Sequence, residues 1–194
     1  MQRTSHRYLQ VDVFADRPGG GNPLGVVLDA ADWATSRMQA FAAWTNLSET
    51  IFFLPPTTPD ASYRIRIFTP RQELPFAGHP SVGAAWVALQ AGLVTASDRL
   101  VQECAAGLLP VRIHDSGPQP MIQLRTPQAH LVETPPLPAL DAVLSSLPIA
   151  GLRPGLWNNG PSWWLVELED AAAVRHLVPD LAAARDRARR RGWE

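Results

Sequence analysis

Lysine is missing from this 194-residue chain: all 17 basic side chains are arginine. Without lysine there is no amine for a Schiff base, which excludes pyridoxal-phosphate chemistry, and no P-loop lysine to hold a phosphate. Cysteine is scarce as well. Cys104 stands alone, so there is no internal disulfide, no multi-cysteine metal site and no thiol pair for a two-cysteine racemase. Followed by Ala105-Ala106-Gly107, it reads as a buried strand residue. His6, His79, His114, His130 and His176 lack ligand spacing, and no metal is expected. No apolar run approaches the ~20 residues of a membrane span, and the alternating residues 8–14 are not the apolar core of a signal peptide. The expectation is a cytoplasmic protein with no membrane partner. A net charge of -1 speaks against a nucleic-acid partner, and the arginines at 185, 187 and 189–191 read as a solvated tail.

What is present suffices for a core, since 46% of the residues are hydrophobic. Residues 8–15 and 24–28 read as strands joined by a loop carrying Gly19-Gly20-Gly21; no GxGxxG spacing follows, so a flexible hairpin is expected. Met38, Phe41, Ala42 and Thr45 recur at helical spacing, with Thr35 or Ser36 as cap and an end near Asn46. Strands follow over 50–54 and 63–68. From Pro75 through Ser97 His79 is the only side chain that titrates near neutral pH, which predicts a helix over 80–91, buried all round, with Pro80 first and Gly92 as stop. Residues 100–103 and 109–113 form a hairpin and 121–124 another strand. The whole predicts an α+β fold, a mostly antiparallel mixed sheet curled round a central helix over residues 1–125. The prolines of 126–138 read as a stiff connector. A partial second domain over 139–194 follows, with helices near 140–147, 171–177 and 181–191 and a strand over 163–168. One or two strands cannot close a core, so uncovered Trp163, Leu165 and Leu168 predict self-association as a homodimer.

Two polar clusters could do chemistry. The helix start at Ala77-Gly78-His79-Pro80-Ser81 would offer unpaired N–H groups and the positive end of the helix dipole to a carboxylate; His79 as a plain N-cap and Gly78 as a turn glycine is the bland account. Asn46-Leu47-Ser48-Glu49-Thr50 enters an apolar strand. Glu49 is there either an exposed rim residue or a partly buried carboxyl with raised pKa, suited to general acid-base work.

In order along the chain, Asp12-Val13-Phe14, Gly20-Gly21-Asn22-Pro23-Leu24, Asn46-Leu47-Ser48-Glu49-Thr50, Ile65-Arg66-Ile67-Phe68-Thr69-Pro70 and Glu73-Leu74-Pro75-Phe76-Ala77-Gly78-His79-Pro80 resemble the PhzF family of phenazine-biosynthesis-type isomerases, related in fold to diaminopimelate epimerase. The resemblance runs to about Leu181, and Asn159-Gly160-Pro161 resembles the entry to the family's second domain. It implies two pseudo-symmetric domains and cofactor-independent proton shuttling on a small carboxylic acid such as trans-2,3-dihydro-3-hydroxyanthranilate. It further implies Glu49 as proton carrier, His79 as its partner, and Gly78, His79, Pro80 and Ser81 as the carboxylate-binding turn. Family chains continue into a segment resembling Asp-Pro-Val-Thr-Gly-Ser-Ala, which starts a second central helix and supplies an Asp; these 194 residues hold none, so an incomplete second half-site is expected. Two readings stay open here: an isomerase, or a non-catalytic small-molecule-binding or self-associating remnant of a longer one.

Overall fold

The computed structural model describes residues 5–114, 120–133, 147, 149–151 and 154–178. Strand β1 (Tyr8–Val13) pairs antiparallel with β2 (Asn22–Val27), Val11 facing Leu24 and Val13 facing Asn22. The loop between them is tethered: the Asp12 carboxylate accepts from the Gly19 N–H, and a Cβ on Gly21 would lie 2.4 Å from the Val13 carbonyl oxygen. Its glycines therefore serve close packing against β1 more than looseness.

Helix α1 (Thr35–Thr45) carries the chain to β3 (Glu49–Leu54), which lies parallel to β2 with Leu24 beside Glu49. The helix closes on Asn46 in the left-handed region, φ 54°, whose N–H bonds the Ala42 carbonyl. It starts after Ala34 with no side-chain cap. The expected Thr35 cap is diverted, because its hydroxyl accepts from the Arg66 guanidinium, which also grips Glu73 through two bonds of 2.6 and 2.7 Å.

Strand β4 (Tyr63–Phe68) runs antiparallel to β3 and carries the short β5 (Glu73–Leu74). Helix α2 (Gly78–Gln90) then leads to β6 (Arg99–Cys104), parallel to β4. The hairpin of β6 with β7 (Gly107–His114) turns on only Ala105 and Ala106, and β8 (Met121–Leu124) completes the sheet. The order is β1-β2-β3-β4-β6-β7-β8, with β5 on β4. Both parallel pairs are bridged by a helix, as parallel connections require.

The two helices lie on opposite faces. Helix α2 touches β1, β2, β3, β4, β6 and β8, so the sheet curls until both its ends reach the helix. Ile51, Phe53, Ile65, Ile67, Leu24 and Val26 fill this inner core with Ala84, Ala85, Val87 and Ala88. On the outer face Met38 and Ala42 of α1 seal Val27, Phe52 and Phe68. Strand β3 is thus apolar on both faces, whereas β7, uncovered outside, alternates Leu109, Val111 and Ile113 in with Pro110, Arg112 and His114 out. Helix α2 comes so close to the sheet that a Cβ on Gly83 would sit 2.6 Å from the Leu24 side chain. It is not buried all round: Gln90 is exposed and Trp86 is 37% exposed.

The chain divides into two units, one of residues 1–128 with 159–161, the other of 129–158 with 162–194. The second holds a sheet in the order β11-β10-β9, from β9 (His130–Leu131), β10 (Gly155–Asn158) and β11 (Ser162–Leu165). Residues 130–131, expected as connector, pair in this sheet because β10 offers them an edge at Trp157 and Asn158. The strand expected over 163–168 ends at Leu165; Leu168 makes only a bridge to Ile149. Helix α3 (Ala171–His176) is capped by the Asp170 carboxylate, which accepts from the Ala173 N–H. The helices expected near 140–147 and 181–191, the prolines at 135–138 and the arginine-rich tail lie outside the described residues, Leu147 apart. Among the described residues no helix is long and apolar enough to cross a membrane.

Candidate active site

The site forms where α2 begins and β3 begins. Parallel pairing sets Leu24 of β2 beside Glu49, the first residue of β3, so the carboxylate stands at the mouth of the inner core rather than along the strand. Behind it the Thr50 hydroxyl, fully buried, lies 3.1 Å from the Thr45 hydroxyl, which donates to the Ala42 carbonyl. Thr45 has spent its proton on that carbonyl, so Thr50 is the donor between the two. Ser48 reaches the Asn22 side-chain oxygen at 3.4 Å, tying the loop before β3 to the start of β2.

Helix α2 begins two residues earlier than Pro80 suggests. Ala77 is the N-cap in extended conformation, so Gly78, His79 and Pro80 occupy the first three helical positions. Proline is tolerated throughout a first turn, where its missing N–H has no partner to lose. The consequence for donors is sharp. Pro80 has no N–H, and the Ser81 N–H bonds the Ala77 carbonyl at 3.2 Å. The Ser81 hydroxyl is fully buried, donates to the same carbonyl at 2.8 Å and accepts from Gln102 at 2.9 Å. Among the described residues no hydrogen bond is drawn from the N–H of Gly78 or His79. A Cβ built on Gly78 would meet nothing within 4 Å, so approach to this turn is open. Of the four residues expected to hold a carboxylate, Gly78 and His79 keep N–H groups with no partner among the described residues, whereas Pro80 has none and the N–H and hydroxyl of Ser81 both go to the Ala77 carbonyl.

His79 Nε2 stands 3.5 Å from Glu49 Oε2, with the side chains 10% and 15% exposed. Neither atom has a hydrogen-bond partner and both are closed off from solvent. Burial pulls the imidazole below its ordinary pKa, while the Glu49 carboxylate and the Pro23 carbonyl, which accepts from the ring, pull it back up. The other ring nitrogen, Nε2, faces the Glu49 carboxylate. A single proton between Nε2 and Oε2 would be shared by the two groups. Desolvation with a specific charged partner is the arrangement that acid-base sites build.

Cys104 is buried at the end of β6, and burial raises its thiol pKa, which disfavours the reactive thiolate. Among the described residues no three metal-ligating side chains cluster. Pro23, Thr50 and Gln102 support the site without any local signal in the sequence. Pro23 acts through its backbone carbonyl, and the other two look like ordinary strand residues until the sheet brings them to the helix.

Relatives of known sequence share this frame. The trans-2,3-dihydro-3-hydroxyanthranilate isomerase of Pseudomonas aeruginosa is 40% identical over 186 residues, covering 93% of this chain and 64% of its own length. Antisense-enhancing sequence 1 of Schizosaccharomyces pombe is 35% identical over 198 residues, 98% of this chain and 67% of that protein. The chain therefore spans about two thirds of the length of the curated relatives it matches. The crystal structure of a Bacillus anthracis phenazine biosynthesis protein of the PhzF family superposes with a TM-score of 0.71 at 24% identity, over 91% of this chain and 60% of that one, a likeness of fold. The model of the phenazine biosynthesis-like PhzC-PhzF proteins matches residues 11–194, and the chain belongs to that family.

Proposed function

We propose that this chain carries the Glu49–His79 half of a cofactor-independent isomerase site acting on a small carboxylic acid of the trans-2,3-dihydro-3-hydroxyanthranilate type. The observation that supports this reading is the unpartnered Glu49–His79 pair beside a helix start with two unused N–H groups. The substrate carboxylate binds at the Gly78 and His79 N–H groups, where the helix dipole favours an anion. Glu49 takes a proton from one substrate carbon while the C–H electron pair shifts the double bond, and delivers a proton, exchanged in part with solvent during its stay, to another carbon. The proton count and the oxidation level of the molecule are unchanged, so no cofactor is consumed. His79 holds one carboxylate oxygen in place and shares the proton during its stay, leaving the other oxygen for substrate.

Proton transfer by a positioned group contributes roughly 10²–10⁴-fold in rate. Glu49→Gln keeps the shape and removes the base. With trans-2,3-dihydro-3-hydroxyanthranilate in deuterated water, it is expected to lose solvent-deuterium incorporation by about that factor while the melting temperature holds. Undiminished incorporation in a folded Glu49→Gln protein would sink the role of this residue.

A further inference from the structure

Three polar side chains are fully buried among the described residues, Thr50, Ser81 and Gln102, and two of them touch. Gln102 sits on β6 directly across the parallel pairing from Tyr63 of β4. The Tyr63 hydroxyl lies 3.3 Å from Gln102 Oε1, Gln102 Nε2 lies 2.9 Å from the Ser81 hydroxyl, and that hydroxyl lies 2.8 Å from the Ala77 carbonyl. The direction of this chain is fixed by proton counting. Ser81 has one hydroxyl proton, and the Ala77 carbonyl can only accept, so Ser81 must accept from Gln102. The amide nitrogen therefore faces Ser81 and the amide oxygen faces Tyr63, which donates. Burial drives the Tyr63 pKa upward, which keeps its hydroxyl proton in place for the donation.

Every dipole in the row points toward the Ala77 carbonyl, and aligned hydrogen bonds in a dry interior strengthen one another. That carbonyl belongs to the same planar peptide as the Gly78 N–H. Pulling electron density onto the oxygen makes the N–H on the far side of the peptide a better donor, and two bonds from Ser81 fix the plane in which it points. We infer that Gln102 is a positioning residue of the anion site, acting through Ser81 to orient and polarise the Ala77–Gly78 peptide from the core side of α2. The inference rests on the reading of the α2 start as a carboxylate site given under Proposed function. It also gives Ser81 a different task from binding, since its hydroxyl works behind the helix and never meets the substrate.

The test uses anthranilate as a carboxylate probe, together with the amide resonances of the 15N-labelled protein. Ser81→Ala and Gln102→Met are expected to weaken anthranilate binding roughly three- to tenfold, and Tyr63→Phe less, as the perturbation lies further from the peptide. The Gly78 amide proton should move upfield in the same order. The His79 amide, whose own peptide carbonyl takes no part in the chain, should stay, whereas general loosening of the helix would move both. Should either single variant fail to fold, Ser81→Ala/Gln102→Met removes both buried partners at once, and Tyr63→Phe leaves both in place. A wild-type protein that does not bind anthranilate overturns the carboxylate site itself. Wild-type binding that Ser81→Ala and Gln102→Met leave intact, or a Gly78 resonance that does not move, overturns the positioning role alone.

Discussion

The two units of this chain are built from similar pieces and differ in what their described residues enclose. In the first, eight strands curl round α2 and cover Leu24, Ile51, Ile65 and Ile67 until nothing of them is exposed. In the second, three strands and a six-residue helix are described, and no described residue beyond Ile113 is buried. A sheet of three short strands has one apolar face and needs a second layer to cover it. A carboxylate proposed for acid-base work needs a dry, rigid setting, and among the described residues the buried ones lie in the first unit. Glu49 and His79 lie where that closed core opens; Trp163 and Leu165 lie more than half exposed on β11.

Core truncation should expose this contrast most strongly. Ile67→Ala is expected to cost about 2–5 kcal/mol of stability, against within about 0.5 kcal/mol for Leu165→Ala, read from urea midpoints. Equal losses would break the comparison by showing that both cores are equally closed. A second test concerns pH. His79 has a lowered pKa in the folded state, so the unfolded chain takes up its proton more readily. Its contribution is complete above the ordinary value of 6.5 and is lost as pH falls from there toward the folded value. His79→Gln should therefore flatten the decline in urea midpoint between about pH 7.5 and 5.5 relative to wild type; a steeper decline would contradict the burial argument. The smallest effect on stability is expected at β11. Trp163 and Leu165 are 58% and 56% exposed, on a strand that pairs only with β10 among the described residues. An apolar edge of this kind should draw copies together, and Trp163→Ser with Leu165→Lys should shift sedimentation toward monomer while changing stability by less than about 0.5 kcal/mol. A wild-type chain that sediments as monomer at every concentration removes self-association from the account.

Much of the first unit was legible because its signals are local. The alternation of residues 63–68 and the apolar run of 51–54 match β4 and β3, and the spacing of Met38 and Ala42 matches the buried face of α1. The meeting of Glu49 with His79 was anticipated from motif order, though nothing in either segment fixes a distance. Other features were illegible for definite reasons. The roles of Pro80 and Ser81 depend on helix phase: a start two residues earlier turns Ser81 inward, to Gln102. The diverted Thr35 cap depends on Arg66, 31 residues away, and β10 is a four-residue strand beginning at a glycine, too short for periodicity to show.

Pro80 also bears on the carboxylate site proposed above. A helix normally offers a fan of free N–H groups, enough to surround a tetrahedral phosphate from below. Here the third helical position is a proline, which takes one rib out of the fan and leaves Gly78 and His79 as neighbours. Two adjacent donors suit the two coplanar oxygens of a carboxylate. A phosphate dianion at the same two donors would face the Glu49 carboxylate, which stands 3.5 Å from His79 Nε2. On the proposed reading, the missing hydrogen at Pro80 would favour flat monoanions over phosphorylated metabolites.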